Sequence, residues 1–250
     1  MLVDTHCHLD MFEDLDAVLE RMGAAGVERA VTIGVDRASS EWAVQAAAEH
    51  EELWATVGLH PHDAKDRTDE LMARLEELAA QHRVVAIGEA GLDYHYDNSP
   101  RDVQREVFAE QIRLALRLGT ALVIHTREAW DDTFAILARE GIPERTVFHC
   151  WSGDAGHARR AVDVGAMLSF SGTVTFKNAT ALREAAHATP IENIVVETDS
   201  PFLTPHPHRG KRNEPAYVRH VADAIAALKG VPGPEADRAL SANCARLFAW

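Results

Sequence analysis

Histidine and acidic residues recur in this sequence directly after short apolar runs. Six of them stand in such positions: His6, His8, Glu89, His125, His149 and Asp199. Imidazole nitrogens and carboxylate oxygens are ligands by which proteins hold divalent cations such as zinc and manganese. These residue types therefore indicate metal chemistry, provided that the fold brings them together.

The spacing within the group supports this interpretation. His6 and His8 are one residue apart, and alternate side chains of an extended strand share a face, so both imidazoles can reach one ion while Cys7 points away. Glu89 has two carboxylate oxygens and can therefore bridge two cations. Each residue alone could be a core-edge histidine or a turn acid, but six of them at the ends of five predicted strands favour a shared metal site.

The elements that would position these residues alternate along the whole chain. Eight short apolar, β-branched runs predict strands at Leu2–His6, Arg29–Gly34, Trp54–Gly58, Val84–Gly88, Ala121–His125, Thr146–His149, Ala166–Phe170 and Asn193–Glu197. Helical periodicity occupies the intervals, most clearly over Arg101–Leu118, with Gly119 as its stop. The pattern predicts an α/β protein, a (β/α)₈ TIM-type barrel in which residues 1–250 form a single domain.

The main alternative architecture is an open, doubly wound sheet. Such a sheet usually has a glycine-rich phosphate loop after its first strand. Here the first strand ends instead in Asp4-Thr5-His6-Cys7-His8. The barrel is favoured, and in a barrel the functional residues lie at the carboxyl ends of the strands, where His60 and His62 also follow the third strand.

Composition limits the class of protein. The chain has 250 residues, of which 46% are hydrophobic and 26% charged, as in a globular protein with one large core. We expect no secretory signal and no membrane segment. The three cysteines, Cys7, Cys150 and Cys244, are far apart and predict reduced thiols in a cytoplasmic protein. A net charge of −14 argues against a broad basic surface for duplex nucleic acid.

Longer segments carry a family resemblance that extends over essentially the full chain. They read DTHCHLD, GLHPHDA, GEAGLDYHYD, VIHTREAWDD, FHCWSGD, SFSGTVTFKNA, ETDSPFLTPHPHRGKRNEP and NCARLF. In content, order and spacing the sequence resembles the TatD family of metal-dependent deoxyribonucleases, within the wider amidohydrolase-like barrels.

The resemblance implies two cation sites that share one carboxylate. Their ligands would be His6, His8, Glu89 and Asp199 for the first cation, and Glu89, His125 and His149 for the second. Two cations about 3.5–4 Å apart can clamp a phosphodiester oxygen and lower the pKa of a water molecule towards ~7. Asp199 would accept the proton of that water, and Glu89 would bridge the cations, which makes both residues catalytic.

The metal itself stays open between Mg, Mn and Zn. Imidazole and carboxylate ligands together suit zinc, manganese or iron, whereas Mg²⁺ prefers more oxygen ligands and retained waters. The resemblance, in contrast, is to enzymes assayed with Mg²⁺.

Four further residues are candidates for substrate binding. The resemblance implies that His60 contacts the substrate phosphate. Arg127 stands two residues after His125, and its guanidinium could fork onto two phosphate oxygens. Trp151 and Ser152 could supply a stacking face or backbone donors.

The segment Pro201–Pro215, here called the proline-rich loop, is the long irregular stretch of the chain. It contains the densest basic cluster, formed by His206, His208, Arg209, Lys211 and Arg212. The cluster could face a polyanion, or it could be a solvated loop.

These observations predict a hydrolase acting on ester bonds: a deoxyribonuclease of the TatD type, which cleaves single-stranded DNA from an end. DNA is the expected substrate, with no membrane and no obligate protein partner. The alternative is an amidohydrolase or lactonase for a small molecule, but many such barrels bridge their metals with a carboxylated lysine where Glu89 stands. A binding protein without activity would need neither Glu89 nor Asp199.

Overall fold

A computed structural model of the chain describes residues 2–250, in which eight strands alternate with helices. The strands are β1 (Leu2–Cys7), β2 (Val27–Ile33), β3 (Leu53–Val57), β4 (Val84–Asp93), β5 (Ala121–Arg127), β6 (Thr146–Phe148), β7 (Met167–Phe170) and β8 (Ile194–Val196). The helices are α1 (Leu15–Ala24), α2 (Arg37–Glu49), α3 (Asp69–Ala79), α4 (Arg101–Leu118), α5 (Trp130–Glu140), α6 (Ala155–Asp163), α7 (Thr180–Ala188), α8 (Val218–Lys229) and α9 (Gly233–Phe248).

The strands belong to one sheet and follow one another in chain order, from β1 to β8. The pairings of β1 with β2, β3 with β4, β4 with β5, β5 with β6, and β7 with β8 are parallel. Parallel neighbours in chain order, joined by helices, are the (β/α)₈ arrangement. The predicted fold class is confirmed.

The described residues group into two compact units. The first unit comprises residues 2–32 and 150–250; within it, Cys7 pairs in parallel with Ser200, and α9 packs against β1, β8 and α8. The second unit is Ile33–His149, in which α4 packs against β4. Each unit contains several strands whose carboxyl ends carry histidine or acidic residues.

Helix α4 has the predicted bounds, and its apolar periodicity and terminal glycine are as expected. Val107, Phe108 and Ile112 recur at helical spacing and are buried. Gly119 ends the helix at φ 61, a left-handed conformation that glycine adopts without steric cost. Periodicity together with a terminal glycine was therefore sufficient to place both ends.

Strands β4 and β5 are longer than predicted. The apolar runs end at Gly88 and His125, but backbone pairing continues to Asp93 and Arg127. Glu89 consequently lies within β4 rather than after it. The difference arises because polar side chains begin before the strand ends, so hydrophobicity alone marks the end too early. The bounds of the other strands differ from the predicted bounds by one or two residues, at one end or at both.

Two glycines let β4 approach β5 closely around Glu89. Gly88 has φ 134 and Gly91 has φ 147, which other residues rarely adopt. An added Cβ would overlap the Val123 carbonyl oxygen at Gly88 and the His125 carbonyl oxygen at Gly91. The register between the strands shifts at this point, as in a β-bulge, which redirects a side chain.

Short polar side chains define the starts of several helices. Asp36 accepts a hydrogen bond from the Ser39 N–H, and the Ser39 hydroxyl bonds back to the Asp36 N–H, which forms a capping box at α2. Thr68 caps α3 by accepting the Leu71 N–H, and Asp154 caps α6 by accepting the His157 N–H. These caps fix where the chain enters each helix after its strand.

Cys7, Cys150 and Cys244 are all free thiols, as predicted. Across residues 2–250, none of the helices combines the length and the apolar character that a membrane span requires.

We predict that Gly91→Ala destabilises the fold severely. The new Cβ would collide with the β5 backbone at a φ unfavourable for alanine, so we expect a loss of at least about 3 kcal/mol, seen as a lower Tm or as insoluble protein. The measurement is thermal unfolding followed by circular dichroism in the presence of a chelator. Gly23→Ala is the matched control: Gly23 lies in α1 with open space around it, and this change should raise stability by about 0.5–1 kcal/mol. An unchanged Tm for Gly91→Ala would contradict the close approach of the strands.

Candidate functional site

The centre of the candidate site in the second unit is the buried carboxylate of Glu89, which is 3% exposed. Its Oε1 atom lies 2.7 Å from His149 Nε2, 2.8 Å from His125 Nδ1 and 3.3 Å from His60 Nε2. The ligand atoms of His60, Glu89 and His125 all lie within 4.8 Å of one another. Three imidazoles on one carboxylate oxygen are a donor set suited to a divalent cation.

Electrostatics keep this carboxylate ionised. Burial raises the pKa of Glu89, but the charges of His149 and His60 and hydrogen bonds from His125 and His149 outweigh it, and the net pKa is well below the usual value. For His60, burial dominates and lowers the pKa to about 4. For His125, burial lowers the pKa, but the hydrogen bonds with Asp93 and Glu89 outweigh it and raise the pKa above its usual value. The site thus presents an ionised carboxylate beside the neutral imidazole of His60 at neutral pH.

Asp93 orients two of the nearby histidines. Its Oδ2 lies 3.0 Å from His125 Nε2 and 3.1 Å from His62 Nε2, and its Oδ1 accepts the backbone N–H groups of His95 and Tyr96. The pKa of Asp93 is lowered: burial raises it, but the bonds from His125, Tyr96 and His62 prevail. With Nε2 directed at Asp93, His125 turns Nδ1 towards Glu89, as in the carboxylate–histidine pairs of metal sites.

Two buried glutamines of α4 hold the segments that carry these groups. The Gln111 side chain accepts the N–H of Leu59 and donates to the Leu59 carbonyl, both at 2.9 Å, directly before His60. Gln104 accepts the Asp93 N–H at 2.8 Å and donates to the Asp93 carbonyl at 3.2 Å. The helix therefore fixes the backbone at both positions.

The hydrogen bond at Nδ1 determines which nitrogen of His60 carries the proton. His60 Nδ1 accepts the backbone N–H of His62 at 3.2 Å. A neutral His60 must then carry its proton on Nε2, which is the atom facing Glu89. Geometrically, His60 could serve as a ligand, but this tautomer makes it a hydrogen-bond donor.

A second cluster lies in the first unit, where β1 and β8 are joined at their carboxyl ends. His8 Nε2 is 3.3 Å and His6 Nε2 is 3.8 Å from Asp199 Oδ1, and the two imidazole centroids are 5.2 Å apart. Cys7 points the other way and donates to the Val31 carbonyl of β2. The predicted alternation, with both histidines on one side and Cys7 on the other, is confirmed.

Hydrogen bonds fix the backbone on both sides of Asp199. The Asp199 N–H donates to the His6 carbonyl at 2.9 Å. The preceding Thr198 donates from its N–H and its hydroxyl to the two carboxylate oxygens of Asp4, at 2.8 and 2.5 Å, and its carbonyl accepts from Asn213. Complete burial raises the pKa of Asp4 to about 8 despite these bonds. Asp4 therefore anchors the strand end that presents Asp199.

The predicted substrate-binding residues have different surroundings. Arg127 is partly buried, with its guanidinium 4.8 Å from the ring centroid of Tyr96, and Ser152 is exposed. The prediction of a stacking face on Trp151 is wrong, because the side chain is 1% exposed and its backbone N–H bonds to Ser169 in β7. An apolar residue after a strand was mistaken for a surface residue, although it belongs to the core.

Three side chains of the basic cluster in the proline-rich loop contact other residues of the first unit. Arg209 lies over the ring of Phe176 at 3.8 Å and donates to the Thr204 carbonyl. Arg212 lies over the ring of Phe12 at 4.7 Å. His208 stacks on Tyr217 with ring centroids 4.2 Å apart. These contacts fasten the loop to its own unit.

Two residues beside the candidate site, Asp93 and Tyr96, are not among those predicted from the sequence. Asp93 stands four residues after Glu89, and strand alternation puts both on one face of β4. That spacing could have identified it. Tyr96 is 55% exposed beside Arg127, and only its position in GLDYHYD, shortly after the glutamate, could have pointed to it.

Comparison with known proteins agrees with this geometry. The chain is 46% identical over 252 residues to the metal-dependent hydrolase YabD of Bacillus subtilis, and 42% identical over 257 residues to the metal-dependent hydrolase TatD of Mycobacterium tuberculosis. These alignments cover 99% of this chain in both cases, and 99% and 97% of the relatives. The crystal structure of YJJV, a TatD homolog from Escherichia coli, superposes with a TM-score of 0.94 at 29% identity and covers 100% of this chain and 98% of the other.

The family described as TatD related DNase matches residues 3–249. That match spans both units, including every histidine, glutamate and aspartate of the two clusters. The chain belongs to the TatD-related family of metal-dependent hydrolases.

Proposed function

We propose that this hydrolase cleaves phosphodiester bonds in DNA, preferring single strands and working from an end, with the aid of two divalent cations. The observation that carries the proposal is the buried, ionised Glu89 with imidazole nitrogens of three histidines around one oxygen. The family description as DNases supports the choice of substrate.

Each cluster would supply ligands for a cation. In the second unit the donors are Glu89, His125 and His149, and in the first unit they are His6, His8 and Asp199. Divalent cations in such sites act as Lewis acids, and they lower the pKa of water and neutralise phosphate charge. The bridging of two cations by Glu89 remains a prediction that rests on the family resemblance, and the metal remains Mg, Mn or Zn.

The chain's own residues would divide the remaining work. The Asp199 side chain is 15% exposed, so water can reach it, and its carboxylate would take a proton from the attacking water. His60, with its proton on Nε2, would donate to a phosphate oxygen. Asp93 would hold the imidazole of His125 in one orientation throughout.

A single strand fits the surface chemistry better than a duplex does. The net charge is −14, and Arg209 and Arg212 of the proline-rich loop already contact the rings of Phe176 and Phe12. The pair formed by Arg127 and Tyr96 offers a cation for a phosphate next to an exposed ring. A few contacts of this kind suffice for a thin, flexible strand, whereas a duplex needs a broad positive face. Ser152, which is exposed, would contribute a backbone or hydroxyl donor.

The first prediction of this proposal is that hydrolysis depends on metal. Exhaustive chelation should abolish the cleavage of end-labelled single-stranded DNA, because the ligand clusters then lack their Lewis acids, and adding Mg²⁺, Mn²⁺ or Zn²⁺ singly should restore it. Elemental analysis of the restored protein should find up to two ions per chain. Full turnover after chelation would refute the mechanism. Cleavage of small esters or lactones without any cleavage of DNA would favour the alternative function.

The second prediction separates the roles of individual residues. Asp199→Asn should lower kcat at least about 100-fold, because the proton acceptor is lost. His60→Ala should instead raise KM about tenfold and leave the metal content unchanged. Glu89→Gln should reduce the metal content itself. Glu76→Gln, a change of an exposed carboxylate that pairs with Arg117, is the matched control and should behave as wild type.

Steady-state kinetics and elemental analysis on the same preparations check these assignments. A wild-type kcat/KM for Asp199→Asn would show that another group accepts the proton. Loss of metal from His60→Ala would make His60 a ligand rather than a donor.

The third prediction concerns the form of the DNA. End-labelled single strands should shorten progressively, blunt duplexes should react more slowly and closed circles should stay intact. Raising the salt concentration should weaken binding only modestly, because few phosphate contacts release few counterions. Time courses on the three substrates at two salt concentrations provide the measurement. Rapid nicking of closed circles would contradict the proposal and indicate an endonuclease.

A further inference from the structure

Large apolar side chains are exposed at only a few places among residues 2–250. Those more than a third exposed are Met11, Tyr96, Leu116, Leu118 and Phe202. Three of the five follow the carboxyl end of a strand that carries candidate site residues. A single exposed leucine on a helix is ordinary, whereas exposed apolar groups next to a polar site indicate a binding surface.

Phe202 is in direct contact with the cluster in the first unit. Its side chain is 48% exposed, and its ring centroid is 6.1 Å from that of His8, in an edge-on arrangement. His8 in turn contacts Asp199, three residues before Phe202. An apolar ring therefore stands at the edge of a cluster that would otherwise present only polar atoms to a substrate.

The backbone holds Phe202 firmly in this position. Its N–H donates to the Asp199 carbonyl at 2.9 Å, and its carbonyl accepts from Asn213 Nδ2 at 2.5 Å. Asn213 is completely buried. The next residue, Leu203, has φ 54 and lies so close to Gly172 that a Cβ there would overlap the Leu203 carbonyl oxygen. The backbone that carries the exposed ring is thus pre-organised, which reduces the entropic cost of binding.

The nature of the ring restricts what it can bind. Phe202 has no hydrogen-bonding group, so it can recognise a flat or apolar face but no particular base edge. Every nucleobase has such a face, and stacking of bases on aromatic side chains is the sequence-tolerant mode by which proteins hold single strands. Met11, 46% exposed and three residues after His8, adds a second apolar group from the β1 side.

We propose that Phe202 stacks on the nucleobase next to the phosphodiester bond that is cleaved. The ring would hold that nucleotide flat at the rim of the cluster formed by His6, His8 and Asp199. A paired base inside a duplex has no open face, so this contact would also select for single strands and frayed ends. The inference rests on the proposed function and specifies how the substrate is held.

The test combines variants of the ring with oligonucleotides that lack one base. Wild type, Phe202→Ala, Phe202→Leu and Phe202→Trp are compared on a single strand with all its bases, and on strands with one abasic residue placed at successive positions. Phe202→Ala should lower kcat/KM about tenfold, mainly through KM; Phe202→Trp should restore it, and Phe202→Leu should not. For wild type, an abasic residue at one position of the oligonucleotide should also lower kcat/KM about tenfold. For Phe202→Ala, the abasic residue at that position should cause no further loss.

Leu118→Ala is the matched control, since it removes another exposed apolar side chain at the end of α4, before β5 and away from that strand's carboxyl end. Leu118→Ala should have the wild-type kcat/KM on every oligonucleotide, and the Tm values of all variants should agree. Equal kcat/KM for Phe202→Ala and wild type would overturn the proposal. So would an abasic penalty that persists in Phe202→Ala, or full rescue by leucine.

A binding measurement separates this inference from the proposed function. The added fluorescence of Phe202→Trp, relative to wild type, should be quenched by the complete strand and less by the abasic strand. Quenching without hydrolysis by wild type would refute the nuclease function and retain the base contact. Hydrolysis by wild type without quenching and without an abasic effect would refute the base contact and retain the nuclease function.

Discussion

The buried carboxylate of Glu89 needs polar partners, and the second unit is arranged to provide them. A carboxylate removed from water is costly by several kcal/mol unless charged or hydrogen-bonding partners compensate it. Here the partners are the imidazoles of three histidines near the carboxyl ends of β3, β5 and β6, at 2.7 to 3.3 Å from one oxygen. Those strand ends can converge only if β4 lies close against β5, which Gly88 and Gly91 permit. The glycines and the histidines of the sequence motifs therefore act together: the glycines let the strands approach, and the histidines compensate the buried carboxylate.

The first unit presents its carboxylate by a different means. Asp199 has φ 55, a conformation that a residue other than glycine keeps only where its surroundings hold it. Three contacts hold it: the Asp199 N–H donates to the His6 carbonyl, Thr198 donates to the buried Asp4 carboxylate, and Asn213 donates to the Thr198 carbonyl. Because this anchoring is done by buried residues, the side chain of Asp199 can stay partly exposed. The same anchoring holds the backbone of the residues that follow, including Phe202, whose ring is exposed.

Much of this organisation could be predicted from the sequence, because strand alternation and helix periodicity are local properties. The bounds of α4 followed from periodicity and the terminal Gly119, and the opposite directions of Cys7 and the flanking histidines followed from spacing. The carboxyl ends of β4 and β5 did not, since pairing between strands continues where the apolar pattern stops. Trp151 was misplaced for a related reason: burial after a strand depends on what packs over it. Asp93 was not predicted, although its spacing of four residues from Glu89 places both on one face of β4.

The histidines illustrate most clearly how one residue type acquires different roles. His60 commits Nδ1 to a backbone N–H two residues away, which leaves an N–H donor on Nε2 facing Glu89. His125 commits Nε2 to Asp93, which directs the opposite nitrogen, Nδ1, at the same carboxylate. Under the proposed function the first arrangement suits a hydrogen-bond donor and the second a metal ligand, although both rings approach one oxygen atom. The role of each histidine is thus set by the partner of its other nitrogen: a local turn for His60, and a neighbouring strand for His125.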